Sequence, residues 1–116
     1  VEKLRHNQTP LTVCPLSNIK LKVFKKLEDH NLKKMLDEKL MVMVNSDDPA
    51  YFGGYVNDNL IESQAALNLS KNELKTLIIN SFKSSFLSEE RNVYWGRKIK
   101  YSVNSEPISV MEVFLI

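Results

Sequence analysis

The first 45 residues alternate between apolar runs typical of strands and spacings typical of helices. Residues 11–14 form a short apolar run with β-branched members, closed by a proline, and predict a buried strand. Residues 17–29 mix lysines with apolar side chains and predict a loop with a short helix. From 30 to 39, apolar residues recur at helical spacing. Residues 41–44 form a second continuous apolar run, which predicts another buried strand.

The second half of the chain is dominated by helical patterns. Two glycines among aromatic residues predict a loop over residues 51–55, followed by a helix over residues 56–67. A further helix should begin at Ser70, because Ser70 and Glu73 have the spacing of a capping box. Its predicted apolar stripe is Leu74, Leu77, Ile78, Phe82 and Phe86.

The remaining residues have a different character. Apolar and polar residues alternate over 99–103 and predict a strand, and residues 108–116 are almost entirely apolar. We assign no role to this tail. The order strand, helix, strand, helix, helix indicates an α/β fold with a parallel sheet and crossover helices. Such a sheet needs more strands than this chain contains.

Composition excludes several classes of protein. With 116 residues, 43% of them hydrophobic, and a net charge of +2, the chain has ordinary globular composition and no concentrated basic stripe, so we expect no nucleic-acid partner. No apolar run reaches the roughly 18 residues of a membrane span. The charged N-terminus has no apolar segment behind it, so it does not resemble a signal peptide. A single cysteine fits a cytoplasmic protein. The first residue is Val, so we expect sequence upstream.

The strongest chemical candidates are two adjacent carboxylates, Asp47 and Asp48, which follow the second predicted strand. The carboxyl ends of parallel strands are where α/β proteins build their sites, so one aspartate could hold a metal while its neighbour faces a substrate. A structural alternative remains open, because Asp48 followed by Pro49 is also typical of a helix start.

Few other residues could complete a metal site. The candidates are His6, His30 and Cys14, and none stands at a metal-binding spacing from another. We expect both histidines to be surface residues and Cys14 to be a small core residue of the first strand. Any co-ligands of Asp47 should therefore lie outside these residues.

Three stretches, residues 11–18, 44–59 and 80–87, resemble the adenosine and adenine deaminase family, with closer resemblance to the adenine deaminase branch. The resemblance implies a (β/α)8 TIM barrel with one Zn²⁺ ion. Strands seven and eight would lie at residues 11–14 and 41–45, so the barrel is incomplete in this chain. The resemblance covers residues 1–90 and leaves residues 91–116 as a divergent tail.

The resemblance also implies roles for the two aspartates. Asp47 matches the family's metal-binding aspartate, and Asp48 matches the aspartate that hydrogen-bonds N7 of the purine. Because N7 is an acceptor, Asp48 would have to be protonated in that contact. The implied reaction is hydrolytic: a metal-activated water attacks C6 of the purine and ammonia leaves. No catalytic residue is assigned within this chain, because the family's catalytic groups belong to earlier strands.

The implied function is deamination of adenine to hypoxanthine, with deamination of adenosine, or a catalytically inactive fragment or interaction module, as alternatives. The substrate would be a purine base or nucleoside, and the oligomeric state is not predicted. One departure from the family has a structural consequence: Lys39 stands where a glycine is expected between helix and strand, at a place that often needs positive φ.

Overall fold

Two parallel strands of three residues form the sheet in the computed structural model, which describes residues 1–94 and 97. Strand β1 spans Leu11–Val13 and β2 spans Val42–Val44, with Leu11 opposite Val42. The strands predicted over residues 11–14 and 41–44 are confirmed, and the strand predicted over residues 99–103 lies outside the described residues. Cys14, however, lies one residue beyond β1 and begins the next helix, because Pro15 occupies that helix's first position.

Helices connect and flank the strands. They are α1 Glu2–Asn7, α2 Pro15–Lys20, α3 Leu32–Asp37, α4 Pro49–Phe52, α5 Val56–Leu67 and α6 Lys71–Lys83, with a 3₁₀ turn at Leu27–Asp29. The parallel pairing of β1 and β2 across this helical connection confirms the mixed α/β fold. No helix in the described part of the chain is long and apolar enough to cross a membrane.

The loop predicted over residues 51–55 is partly wrong, because α4 occupies its first two positions. Helix α4 starts at Pro49 for two reasons. The Asp48 side chain accepts hydrogen bonds from backbone N–H groups of the first turn, and Pro49 has a preset helical φ. It ends at Gly53, where φ is 76°, and Gly54 follows with φ 90°. The two glycines supply the positive φ values that turn the chain into α5.

The capping box of α6 forms as predicted. The Glu73 backbone N–H donates to Ser70 Oγ at 3.2 Å, and the Ser70 backbone N–H donates to Glu73 Oε2 at 2.8 Å. The apolar stripe is correct as far as Phe82, which packs partly buried against the core. Phe86 is fully exposed instead, because the helix ends at Lys83 and the helical spacing stops there.

Helix α3 is shorter than predicted and ends in a Schellman motif. The Lys39 N–H donates to the Leu36 carbonyl at 2.9 Å, and the Leu40 N–H donates to the Met35 carbonyl at 3.1 Å. Lys39 has φ 58°, so the expected left-handed residue between helix and strand is present. This turn reverses the chain into β2.

The core lies between the sheet and the helices. Its buried apolar residues are Val13, Leu32, Leu36, Leu40, Val42, Val44, Leu60, Leu69, Leu74, Leu77 and Ile78. Helix α6 packs along β2, where Asn80 Nδ2 donates to the Val42 carbonyl at 2.8 Å. Lys33 Nζ connects α3 to α6 through an ion pair with Glu73 at 2.5 Å. Together these contacts fix the position of β2, whose last residue leads into the loop with the two aspartates.

Candidate functional site

Asp47 lies three residues beyond β2 and is held by residues from both strand ends. Its Oδ2 accepts a hydrogen bond from Ser17 Oγ at 2.9 Å, and its backbone carbonyl accepts one from Ser46 Oγ at 3.2 Å. The residue has φ 59°, a left-handed conformation that aspartate tolerates better than most residues. Among the described residues, no hydrogen bond engages Oδ1. Asp47 therefore presents one free carboxylate oxygen at the carboxyl end of β2.

The two carboxylate oxygens of Asp48 also differ in their hydrogen bonding. Its Oδ1 accepts hydrogen bonds from the backbone N–H groups of Ala50 at 3.0 Å and Tyr51 at 3.2 Å. The structural alternative, a helix cap, is therefore what Asp48 does in this fold. The cap uses Oδ1, and within the described part of the chain nothing hydrogen-bonds Oδ2. Capping and contact with a substrate are thus compatible.

Cys14 is adjacent to this site, and its surroundings favour the protonated thiol over the nucleophilic thiolate. Burial raises the pKa of the Cys14 thiol, the negative charge of Asp47 raises it further, and a hydrogen bond from the Asp47 backbone acts in the opposite direction. The thiol is half-buried. Because a raised pKa keeps the thiol protonated at neutral pH, the residue acts as a packing and hydrogen-bonding group.

The two histidines differ from each other. His6 is exposed on α1, as expected. His30 is only 4% exposed, so the expectation of a surface residue was wrong. It lies where the 3₁₀ turn leads into α3, stacks obliquely on Phe24 with ring centroids 4.6 Å apart, and accepts a hydrogen bond from the Leu32 N–H at its Nδ1. Neither histidine belongs to a potential metal-binding group within the described part of the chain.

The described side chains do not form a complete metal site by themselves. Within residues 1–94 and 97, no group of three or more His, Cys, Asp or Glu side chains could hold a metal ion. Asp47 fits a single ligand position, because Oδ1 is free while Oδ2 is fixed by Ser17. The expectation that co-ligands lie outside this chain stays a prediction.

Two residues important to this arrangement were not singled out from the sequence pattern. Ser17 is 2% exposed and contacts a carboxylate 30 positions away. Asn59 is fully buried on α5, where its Oδ1 accepts from the Leu16 N–H at 3.0 Å and its Nδ2 donates to the Tyr55 carbonyl at 2.9 Å. Both lie within the stretches that resemble the deaminase family. Their roles depend on contacts between segments that are distant in sequence.

Comparison with known proteins shows the family to which this chain belongs. The family model described as adenosine deaminase matches residues 1–101. This chain therefore belongs to the adenosine deaminase family, and the predicted resemblance is confirmed.

Within this family, the relatives with high identity are adenine deaminases. The adenine deaminase of Wolinella succinogenes is 58% identical over 99 residues, which cover 85% of this chain and 30% of the relative. That of Chlorobium phaeobacteroides is 58% identical over 91 residues, which cover 78% of this chain and 27% of the relative. The crystal structure of adenine deaminase from Arthrobacter aurescens superimposes with a TM-score of 0.87 at 47% identity, covering 90% of this chain and 32% of that one. The chain thus spans about a third of the length of these relatives.

Proposed function

We propose that this chain forms the last two β/α units of a (β/α)8 TIM barrel in a zinc-dependent adenine deaminase. In this proposal β1 is strand seven and β2 is strand eight. The reaction joins adenine and water and releases hypoxanthine and ammonia. The observation behind the proposal is the pair of adjacent aspartates at the carboxyl end of β2, each with one oxygen hydrogen-bonded and one free. High identity to adenine deaminases supports adenine over adenosine as the substrate.

Asp47 is the proposed metal ligand of this chain. Its Oδ1 would bind the ion, because Oδ2 already accepts a hydrogen bond from Ser17. A bound zinc would lower the pKa of a water molecule and so provide a nucleophile at neutral pH. The remaining ligands and the catalytic groups would come from other strands of the barrel.

Asp48 is the proposed contact to the purine ring. N7 of adenine only accepts hydrogen bonds, so Asp48 must donate a proton through the oxygen that the helix cap leaves free. The two backbone N–H groups occupy Oδ1, which leaves Oδ2 to make the contact with N7. Oδ2 would then hold the proton and donate it to N7.

The extent of the barrel segment and the location of the protein remain part of the proposal. We assign residues 1–90 to the barrel and residues 91–116 to a divergent tail, although the family model's match continues to residue 101. A cytoplasmic enzyme without nucleic-acid or membrane partners fits the composition, which has neither a basic stripe nor a long apolar run.

The substrate is tested with the complete zinc-loaded protein that contains this chain. We expect kcat/KM for adenine to exceed that for adenosine by at least about 100-fold, because a pocket that fits the base rejects a ribose on steric grounds. Deamination rates for both substrates can be followed by ammonia release. Turnover of adenosine with none of adenine would reverse the substrate assignment.

The same assay with 7-deazaadenine, in which a C–H replaces N7, tests Asp48. Asp48→Ala should lower kcat/KM for adenine by about 100-fold and leave that for 7-deazaadenine nearly unchanged. Asp48→Asn should cost less, because its amide can both donate to N7 and accept from the α4 backbone. The exposed Asp29 provides the control variant, Asp29→Asn, which should have no effect. Equal losses on both substrates in Asp48→Ala would exclude the N7 contact.

A further inference from the structure

The hydroxyl of Ser17 lies in an unusual position for a serine in the first turn of a helix. It is almost completely buried, with 2% of the residue exposed, and it donates to Asp47 Oδ2 at 2.9 Å. The bond joins α2, which follows β1, to the loop that follows β2. A buried hydroxyl bonded to a carboxylate is a charge-assisted contact, which holds its partner more firmly than a neutral hydrogen bond does.

Ser17 itself is held rigidly. The first turn of α2 is attached to α5, because Asn59 Oδ1 accepts from the Leu16 N–H at 3.0 Å. Asn59 is in turn fixed by its hydrogen bond to the Tyr55 carbonyl at 2.9 Å. The hydroxyl therefore approaches Asp47 from a helix whose position is set by packing and not by a mobile loop.

Asp47 needs such support. With φ at 59° it occupies a left-handed conformation that is strained for a non-glycine residue, although aspartate tolerates it better than most. Strained residues keep their conformation only where surrounding contacts determine it. Here those contacts are the Ser17 hydroxyl on the side chain, Ser46 Oγ on the backbone carbonyl and the Cys14 thiol near the backbone.

We infer that Ser17 is a positioning residue for the metal-binding carboxylate. It occupies Oδ2 of Asp47 and restricts the side-chain torsion, so that Oδ1 alone would be available to hold the metal. This inference rests on the proposed role of Asp47 as a metal ligand. Hydrogen-bond partners of metal ligands typically change metal affinity by about 10–100-fold when removed.

The test measures zinc affinity of the complete protein by competition with a chromophoric chelator. Ser17→Ala should weaken zinc binding at least about 10-fold, and Ser17→Thr, which keeps the hydroxyl, should recover most of the affinity. Ser63→Ala is the matched control, because Ser63 is also fully buried but its Oγ has no partner among the described residues. That variant should bind zinc as the unmodified protein does. Thermal unfolding of the metal-free variants establishes that all are folded.

Asp47→Asn separates the inference from the function on which it rests. If Asp47→Asn binds zinc as tightly as the unmodified protein, the metal role of Asp47 is wrong, whatever Ser17 does. If Asp47→Asn loses zinc while Ser17→Ala binds it within twofold of the unmodified protein, Asp47 remains a ligand and the positioning role of Ser17 is overturned. Equal weakening in Ser17→Ala and Ser63→Ala would also overturn it, because the loss would then follow from any buried serine.

Discussion

At the scale of the residue, His30 couples the stability of this fold to pH. Burial lowers the pKa of its imidazole from the ordinary value near 6.5. Its Nδ1 accepts from the Leu32 N–H at 3.1 Å, so the neutral ring has its proton on Nε2. Within the described part of the chain Nε2 has no hydrogen-bond partner. A second proton would have to enter at Nδ1, against the N–H that it now accepts.

We therefore predict that acid destabilises the protein through His30. The folded state binds this proton less readily than the unfolded state. The contribution of neutral His30 to the free energy of unfolding is therefore fully present above about pH 6.5 and decreases as the pH falls below that value. The fall is at most about 1.4 kcal/mol per pH unit for one group. Urea unfolding of the complete protein between pH 7.5 and 5 measures this decrease in the free energy of unfolding.

Replacing the histidines separates this effect from other titrations. His30→Asn should flatten the pH dependence, because an amide oxygen can accept from the Leu32 N–H and does not titrate. His6→Asn, at an exposed position, should leave the dependence unchanged. If both variants keep the slope of the unmodified protein, His30 is not the responsible group.

At the scale of the element, four helices in the described part of the chain end in left-handed residues that are not glycine. These residues are Gln8, Lys22, Lys39 and Asn68, with φ between 48° and 60°. Each turn allows backbone N–H groups to reach carbonyls of the last helical turn, which would otherwise lack partners. A lysine at such a position carries a conformational cost that glycine avoids.

Lys39→Gly should therefore stabilise the protein. Glycine relieves the left-handed strain of the folded state, but it also gives the unfolded chain more conformational entropy, which opposes folding. The net increase in the free energy of unfolding should be about 0.5–1 kcal/mol. The Lys39 side chain is exposed, and the hydrogen bond from Gln8 Nε2 at 3.2 Å uses its backbone carbonyl, which glycine keeps. Urea unfolding of the complete protein measures the difference.

The same substitution within α3 should have the opposite effect. Lys34 is also exposed but lies inside the helix, where glycine costs about 1 kcal/mol. Opposite signs for Lys39→Gly and Lys34→Gly would establish that backbone conformation causes the gain. A loss in both variants would contradict the prediction.

At the scale of the whole molecule, the proposed site requires more chain than these 116 residues. The sheet of the described residues has two strands, and the only metal ligand that we assign is Asp47. A catalytic zinc typically has three protein ligands besides a water molecule.

We predict that the 116-residue polypeptide alone, supplied with zinc, deaminates neither adenine nor adenosine. It should also bind zinc weakly, because one carboxylate cannot hold the ion against water. Ammonia release and chelator competition measure these properties, with the complete protein as the positive control. Measurable deamination by the purified 116-residue polypeptide would refute the prediction.

Local patterns determined the elements and the two aspartates. Short apolar runs predicted both strands, and the Ser70–Glu73 spacing predicted the start of α6, because each depends on neighbouring residues only. The family resemblance directed attention to Asp47 and Asp48, and their proposed roles remain to be tested. The left-handed conformation at Lys39 was expected because a glycine is usual there in the family, at a helix end that often needs positive φ.

Tertiary structure decided what those residues contact. The Ser17 bond to Asp47 and the Asn59 bond to Leu16 join segments 30 and 43 positions apart, so no local pattern could predict them. Burial of His30 follows from packing around the 3₁₀ turn, which the residue type does not specify. The sequence by itself determined the chemistry available at the end of β2. Only the packing of α2 and α5 decided which oxygen of Asp47 remains free to use it.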